Sequence, residues 1–196
     1  GNRYQVLTSA HVLTGGGDSY EILTPDGQIQ IGRTRTVSAW EGIDLALLEF
    51  QSNQAYKTAV LGNIDQMLLG DPIYISGFPN YHPRTQDHLE ITYGWGVRAF
   101  NLTTGEFSMY LSDRSLQRGY KIAYTNRSRL GMSGGPVLNQ FGELVGINGR
   151  GPITIQGIEA LRFADGTLPS QELFNEMSSF SWAIPSKPIQ NRYALR

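Results

Sequence analysis

The stretch Gly131-Met132-Ser133-Gly134-Gly135-Pro136 decides how this chain folds and what chemistry it carries. It places a serine inside a glycine-rich turn, where small residues let the backbone bend sharply and approach another molecule closely. A serine hydroxyl is a poor nucleophile at neutral pH, so it needs a base within hydrogen-bond reach and a further group that holds the tautomer of that base. Two other stretches supply candidates for these roles: Thr8-Ser9-Ala10-His11 and Ile43-Asp44-Leu45-Ala46-Leu47.

The order of the candidates along the chain separates two classes of hydrolase. The serine turn also fits the G-x-S-x-G signature of α/β-hydrolases, in which the histidine follows the serine. In this chain every histidine precedes Ser133: His11, His82 and His88. The order His11, Asp44, Ser133 is that of chymotrypsin, so an esterase or lipase of the α/β-hydrolase type is disfavoured.

The composition of the chain limits the kinds of molecule that it is expected to bind. The chain has 196 residues, 40% of them hydrophobic, which suffices for one or two compact units with a sizeable core. Its net charge of −1 shows no basic excess of the kind that binds nucleic acid. No apolar run approaches the ~20 residues of a membrane-spanning helix. Cysteine is absent, which excludes disulfides and thiolate metal sites and leaves the localisation open.

Short apolar and β-branched runs separated by turn signals predict an all-β chain. Predicted strands accompany the three candidate residues, at 4–8, 44–50 and 120–125. The polar stretch 51–70 is the expected connection between an N-terminal half at residues 1–60 and a C-terminal half at 61–196. Near the end, Ser170 precedes a helical pattern and is expected to cap a short helix, which a closing strand and a polar tail follow.

Together these motifs resemble those of trypsin/chymotrypsin-type serine peptidases, and most closely their disulfide-free bacterial branch, which includes glutamyl endopeptidases and the high-temperature-requirement proteases. The resemblance extends over most of the chain and rests on five stretches, at residues 7–12, 44–48, 77–79, 131–137 and 142–147. It implies two antiparallel β-barrels, at 1–60 and 61–196, that form one peptidase unit with the active site in the cleft between them. It also implies an endopeptidase that needs no cofactor and acts on peptides or proteins, not on nucleic acid or membranes.

The resemblance assigns each candidate a role. Ser133 attacks the scissile carbonyl, His11 takes the serine proton and delivers it to the leaving amine, and Asp44 holds the His11 tautomer. The backbone N–H groups of Gly131 and Ser133 form the oxyanion hole, a contribution of roughly 3 kcal/mol per donor. Since the reaction needs a neutral imidazole, the rate should rise with pH around the ordinary histidine value of about 6.5.

Two features depart from the pattern of the family. Met132 stands where animal digestive relatives carry an aspartate that pairs with a newly cut N-terminus, so we expect no zymogen activation of that kind. The N-terminal half also lacks the first strand that relatives have before the strand with the histidine. A barrel without that strand exposes unpaired backbone groups at its edge. An upstream segment or a partner chain is therefore expected to complete it.

By resemblance, the pocket that sets substrate preference is lined by residues just before Ser133 and by the strand at 148–151. No acidic residue lies between Arg114 and Gly142, so the usual carboxylate for binding Arg or Lys is missing there. Three alternatives follow: a basic rim that favours Glu or Asp, a Glu159 on the next strand that binds Lys or Arg, or a neutral pocket with solvated arginines. The candidate pocket residues are Arg127, Ser128, Asn148, Gly149, Arg150 and Glu159.

Two competing interpretations remain from the residues alone. The first is a non-catalytic peptide-binding or regulatory module on the same fold, which is disfavoured because all three catalytic candidates are retained. The second is a metal site at His82, Asp87, His88 and Glu90, but their spacing fits no standard zinc pattern. We expect a solvated loop there and no metal.

Overall fold

The computed structural model describes residues 1–13, 15, 17–85, 88–153 and 157–194. The N-terminal part of these residues forms a four-stranded antiparallel sheet in the order β1-β4-β3-β2. Its strands are β1 (Asn2–Thr8), β2 (Ser19–Leu23), β3 (Ile29–Arg35) and β4 (Ala46–Ser52). The sheet is open, because β1 and β2 form its two edges, which agrees with the expectation that the first barrel lacks a strand.

The C-terminal part forms a closed six-stranded barrel in the order β10-β11-β12-β9-β8-β5, which confirms the all-β prediction. A two-stranded hairpin of β6 and β7 is inserted between β5 and β8. The strands are β5 (Pro72–Gly77), β6 (Tyr81–Thr85), β7 (His88–Ile91), β8 (Asn101–Tyr110), β9 (Ile122–Tyr124), β10 (Pro136–Leu138), β11 (Leu144–Arg150) and β12 (Ser181–Pro185). The boundary predicted at residue 60 falls between the two sheets, and the division into domains stays a prediction.

The hydrophobic core joins the two sheets. Trp40, Leu45 and Leu47 of the N-terminal part pack in one buried cluster with Tyr120 and Trp182 of the C-terminal part. Burial of such apolar side chains contributes about 1.5–3 kcal/mol each, so this shared cluster holds the two parts against each other. Because Leu45 directly follows Asp44, the same cluster anchors the candidate aspartate at the junction.

Two helices lie near the C-terminus. The first, α1 (Gln171–Met177), begins where the sequence predicted, and the Ser170 hydroxyl caps it by accepting a hydrogen bond from Leu173 N at 3.2 Å. The second, α2 (Lys187–Ala194), lies in the polar tail, where the sequence pattern had not indicated a helix. It docks because Ile189 is fully buried in the shared core. Among the described residues, no helix has the length and apolar character needed to cross a bilayer.

Candidate active site

The serine turn lies between β9 and β10 and depends on its glycines. Gly131 has φ +95° and Gly134 has φ +84°, a left-handed conformation that side chains other than glycine rarely adopt. A Cβ atom at Gly134 would also collide with the Thr8 hydroxyl and lie 3.1 Å from Ser9 N. The turn therefore needs glycine both for its conformation and for its close approach to the end of β1.

Asn148 stabilises the serine turn through hydrogen bonds. Its side chain is fully buried and makes three hydrogen bonds: Nδ2 donates to Ser128 Oγ and to Met132 O, both at 2.8 Å, and Oδ1 accepts from Tyr124 Oη at 2.7 Å. Its carbonyl oxygen accepts from Gly134 N at 2.7 Å. Burial raises the pKa of the Tyr124 hydroxyl well above its ordinary value, so this tyrosine remains a protonated donor.

The histidine segment meets the serine turn at the same carbonyl. Ser9, which is fully buried and lies two residues before His11, donates from its hydroxyl to Asn148 O at 3.1 Å. Ser133 Oγ donates to the neighbouring carbonyl of Gly149 at 3.3 Å. Segments that are more than a hundred residues apart in the chain are thus joined through two consecutive peptide groups of β11.

Asp44 is fully buried and holds His11 by two contacts. Its Oδ1 accepts from the backbone N–H of His11 at 2.9 Å, and its Oδ2 lies 2.6 Å from Nδ1 of the His11 ring. A carboxylate at Nδ1 keeps the proton on that nitrogen, so Nε2 is the ring atom that can act as a base. The structure therefore brings together two of the three predicted catalytic residues.

Two residues that the sequence reasoning missed complete the surroundings of Asp44. Arg118 Nη2 donates to Oδ1 at 2.5 Å, and the Tyr120 hydroxyl donates to Oδ2. Burial, and then the hydrogen bond to Asp44, raises the pKa of Tyr120 well above its ordinary value, which keeps this hydroxyl a donor. Both residues are more than seventy positions from Asp44 and belong to no motif, so no local sequence signal marks them.

The predicted pocket residues divide into two groups. Arg127 and Ser128 line a cavity of about 520 Å³ with Arg129, Pro152, Ile153, Ser178 and Ser179. Within the described part of the chain, neither Arg127 nor Arg129 forms an ion pair. This cavity is therefore basic and also carries serine hydroxyls.

The other candidates for the pocket have different partners. Asn148 and Gly149 contact the serine turn, as described above. The Arg150 guanidinium lies 4.5 Å from the ring centroid of Tyr120 and donates to Ala160 O at 3.0 Å. Glu159 was expected on a strand but lies in a short 3₁₀ helix (Ile158–Leu161), where it pairs with Arg162 and is 64% exposed.

The candidate oxyanion donors remain available. Within the part of the chain that the structure describes, no protein acceptor bonds the N–H groups of Gly131 and Ser133. The neighbouring N–H groups are used within the site: Met132 N donates to Arg129 O at 3.0 Å, and Gly134 N donates to Asn148 O. The turn thus leaves two donors beside the serine.

The weaker metal hypothesis concerns the β6–β7 hairpin. His82 and His88 lie on its two strands, which corrects the expectation of a loop, and Glu90 pairs with Arg84. Asp87 lies outside the described residues. Among those that are described, no three His, Cys, Asp or Glu residues come together as a metal-binding group.

Comparison with known proteins places the fold. Residues 1–147 match the family model described as a trypsin-like peptidase domain. No curated protein matches the chain. One similar solved structure is the HtrA-type protease AlgW with a tripeptide, at 22% identity and a TM-score of 0.60, in a match that covers 93% of this chain and 48% of that one. Another is an AlgW variant with a tripeptide, also at 22% identity, with a TM-score of 0.63 and coverage of 95% of this chain and 50% of that one. The chain spans about half the length of these structures, and identity at this level shows the fold alone.

Proposed function

Because this chain belongs to the family of trypsin-like peptidase domains, we propose that it is a serine endopeptidase that cleaves peptide bonds through an acyl-enzyme. The observation that carries the proposal is the His11–Asp44 pair. Its ring contact of 2.6 Å is made by a buried carboxylate, and Ser9, two residues before His11, shares the Asn148 carbonyl with the glycine-rich turn that carries Ser133. This arrangement supports a base held by a carboxylate, with the candidate nucleophile in a turn that contacts the same segment.

In the proposed reaction, Ser133 Oγ attacks the substrate carbonyl while its proton passes to Nε2 of His11. Asp44 keeps the other ring nitrogen protonated and stabilises the imidazolium that forms. The free N–H groups of Gly131 and Ser133 donate to the carbonyl oxygen as it becomes negative, and each contributes roughly 3 kcal/mol. His11 then returns the proton to the leaving amine, and water hydrolyses the acyl-enzyme in the same way.

A fluorophosphonate probe tests this proposal, because it reacts only with an activated serine. We expect labelling of the folded protein at Ser133, located by peptide mass spectrometry, and cleavage of a protein substrate. Ser133→Ala should abolish labelling and lower kcat by about 10⁶-fold. Ser112→Ala is the matched control, because this exposed serine contributes only its carbonyl to a contact with Lys121. A folded wild-type protein that is neither labelled nor active would instead support the peptide-binding module.

We also propose that the substrate carries Glu or Asp before the cleaved bond. The basic cavity at Arg127 and Arg129 supports this preference, since a guanidinium pairs well with a carboxylate. Glu159 is occupied by Arg162, so it offers no comparable partner for a basic side chain. A peptide library should show cleavage after acidic residues that Arg127→Glu diminishes. Preferential cleavage after Lys or Arg would contradict the proposal.

A further proposal concerns the open sheet. An apolar cavity of about 330 Å³ lies between β1 and β2, lined by Tyr4–Leu7 on one side and by Ile22 and Leu23 on the other. We propose that a strand from an upstream segment or a partner chain fills this gap and pairs with a free edge. Without it, backbone amides of β1 should exchange hydrogen faster than those of β4, which is paired on both sides. Equal protection of β1 and β4 would contradict the proposal.

A further inference from the structure

Asp44 contacts two basic side chains, and only one of them belongs to the proposed triad. Arg118 Nη2 lies 2.5 Å from Oδ1, on the same carboxylate whose other oxygen contacts the His11 ring. The Asp44 side chain is fully buried, whereas that of Arg118 is 47% exposed. The negative charge of Asp44, which would stabilise a protonated His11, is therefore shared with the guanidinium of Arg118.

A backbone hydrogen bond holds Arg118 beside Asp44. Asp44 N donates to the carbonyl of Arg118 at 2.9 Å, so the two main chains are joined directly. Arg118 has φ +66° and is the only residue other than glycine with a positive φ among those that the structure describes. Strained backbone of this kind persists only where surrounding contacts impose it, and it is concentrated at functional sites.

From this geometry we propose that Arg118 is a positioning residue that holds Asp44 and keeps the His11 ring neutral at lower pH than Asp44 alone would allow. A guanidinium across the carboxylate opposes the gain of a second positive charge on the imidazole. The base consequently stays active in more acidic solution. The inference deepens the proposed function, since it concerns the base of the same reaction.

Within the described part of the chain, Arg118 is the one permanently charged side chain that forms an ion pair with Asp44. Tyr120 donates from its hydroxyl as a neutral group. Arg150 approaches from β11, but it lies over the Tyr120 ring and its hydrogen bond goes to Ala160 O. Removing the charge of Arg118 is therefore the change that should move the titration of His11 most.

Nuclear magnetic resonance titration of the His11 ring tests the proposal without relying on activity. A Ser133→Ala protein that also carries His82→Gln and His88→Gln has a single histidine. In this background, Arg118→Met should raise the midpoint of the imidazole titration by about one pH unit. Arg118→Lys keeps the charge, and its midpoint should stay within about 0.3 unit of the parent protein, which a purely structural role would not predict.

The matched control is Arg114→Met, which removes the same charge from the same loop. Arg114 lies 3.6 Å above the ring of Phe163 and does not contact Asp44, so the midpoint should remain within about 0.3 unit. Arg118→Gln is made in parallel, because it is neutral but retains a donor and should shift the midpoint in the same direction if the methionine variant does not fold. An unchanged midpoint in the neutral variants, or an equal shift in the Arg114 control, would overturn the proposal.

A second readout uses the active protein. The acidic limb of the kcat/KM profile of Arg118→Met should move to higher pH by the same amount as the ring titration, because kcat/KM reports the free enzyme. If the probe never labels Ser133, the proposed function fails while the ring titration still decides the role of Arg118. If the probe labels Ser133 and both midpoints stay in place, only the inference on Arg118 fails.

Discussion

Replacing Asn148 by alanine should loosen the serine turn while leaving the fold intact. The change removes three side-chain hydrogen bonds: those to Met132 and Tyr124 are buried, and that to Ser128 is partly buried. Each such bond contributes about 1 kcal/mol net, and leaving buried partners unsatisfied adds to this loss. A water in the space of the amide would recover part of it. We therefore expect the free energy of unfolding to fall by about 3 kcal/mol, less than the 5–15 kcal/mol of a typical domain.

Urea unfolding followed by tryptophan fluorescence measures this loss, because Trp40 and Trp182 are buried and report the shared core. The rate of fluorophosphonate labelling measures the serine turn in the same samples, and we expect a decrease of at least about tenfold. Tyr124→Phe removes only one of the three bonds and should cost about 1 kcal/mol.

Asn139→Ala is the matched control for this prediction. Asn139 is also nearly buried and makes three side-chain hydrogen bonds, but to Phe141 and Glu143 in the turn between β10 and β11. It should lower stability to a similar extent without changing the labelling rate. A free energy of unfolding for Asn148→Ala within about 1 kcal/mol of wild type, together with an unchanged labelling rate, would refute the reasoning.

Two further predictions concern backbone conformation and acid stability. Gly134→Ala should lower both stability and labelling more than Gly27→Ala, because both positions have positive φ but only the first collides with Thr8. The difference in urea midpoint isolates the collision, and equal midpoints would contradict it. The pKa of Asp26 is lowered, chiefly by the Thr24 hydroxyl, so its stabilising effect is present above the unfolded value of about 3.9 and is lost as pH falls through the folded value. Asp26→Asn should flatten the decline of the urea midpoint between pH 5 and about 2.5, and an unchanged slope would exclude this contribution.

Local signals in the sequence predicted the strands, the capped helix and the all-β fold. The glycines of the stretch Gly131 to Pro136 indicate a tight turn because glycine readily adopts a positive φ, as Gly131 and Gly134 do. Ser170 likewise marks the start of α1 through a bond to a residue three positions away. The polar composition of 187–194 gave no signal for helix α2. This helix packs against the protein through Ile189, which is buried against strands that are distant in the sequence.

The candidate site was predictable only as far as motifs extend. The order of His11, Asp44 and Ser133 predicted a trypsin-like peptidase from the sequence, and the match of residues 1–147 confirms the family, while the roles of the three residues stay a prediction. The candidate pocket residues were harder to assign, because Arg150 packs over Tyr120 and Glu159 pairs with Arg162, contacts that the sequence spacing does not reveal.

The sequence by itself determined the order of the candidates His11, Asp44 and Ser133 and the turn and strand patterns around them, because such patterns are carried by neighbouring positions. Only the tertiary structure decided what surrounds them. Arg118 and Tyr120 reach Asp44 across 74 and 76 positions, and Asn148 joins the serine turn to the end of β1. Such contacts arise when the two sheets pack on a shared core, and no local pattern encodes the geometry of that packing.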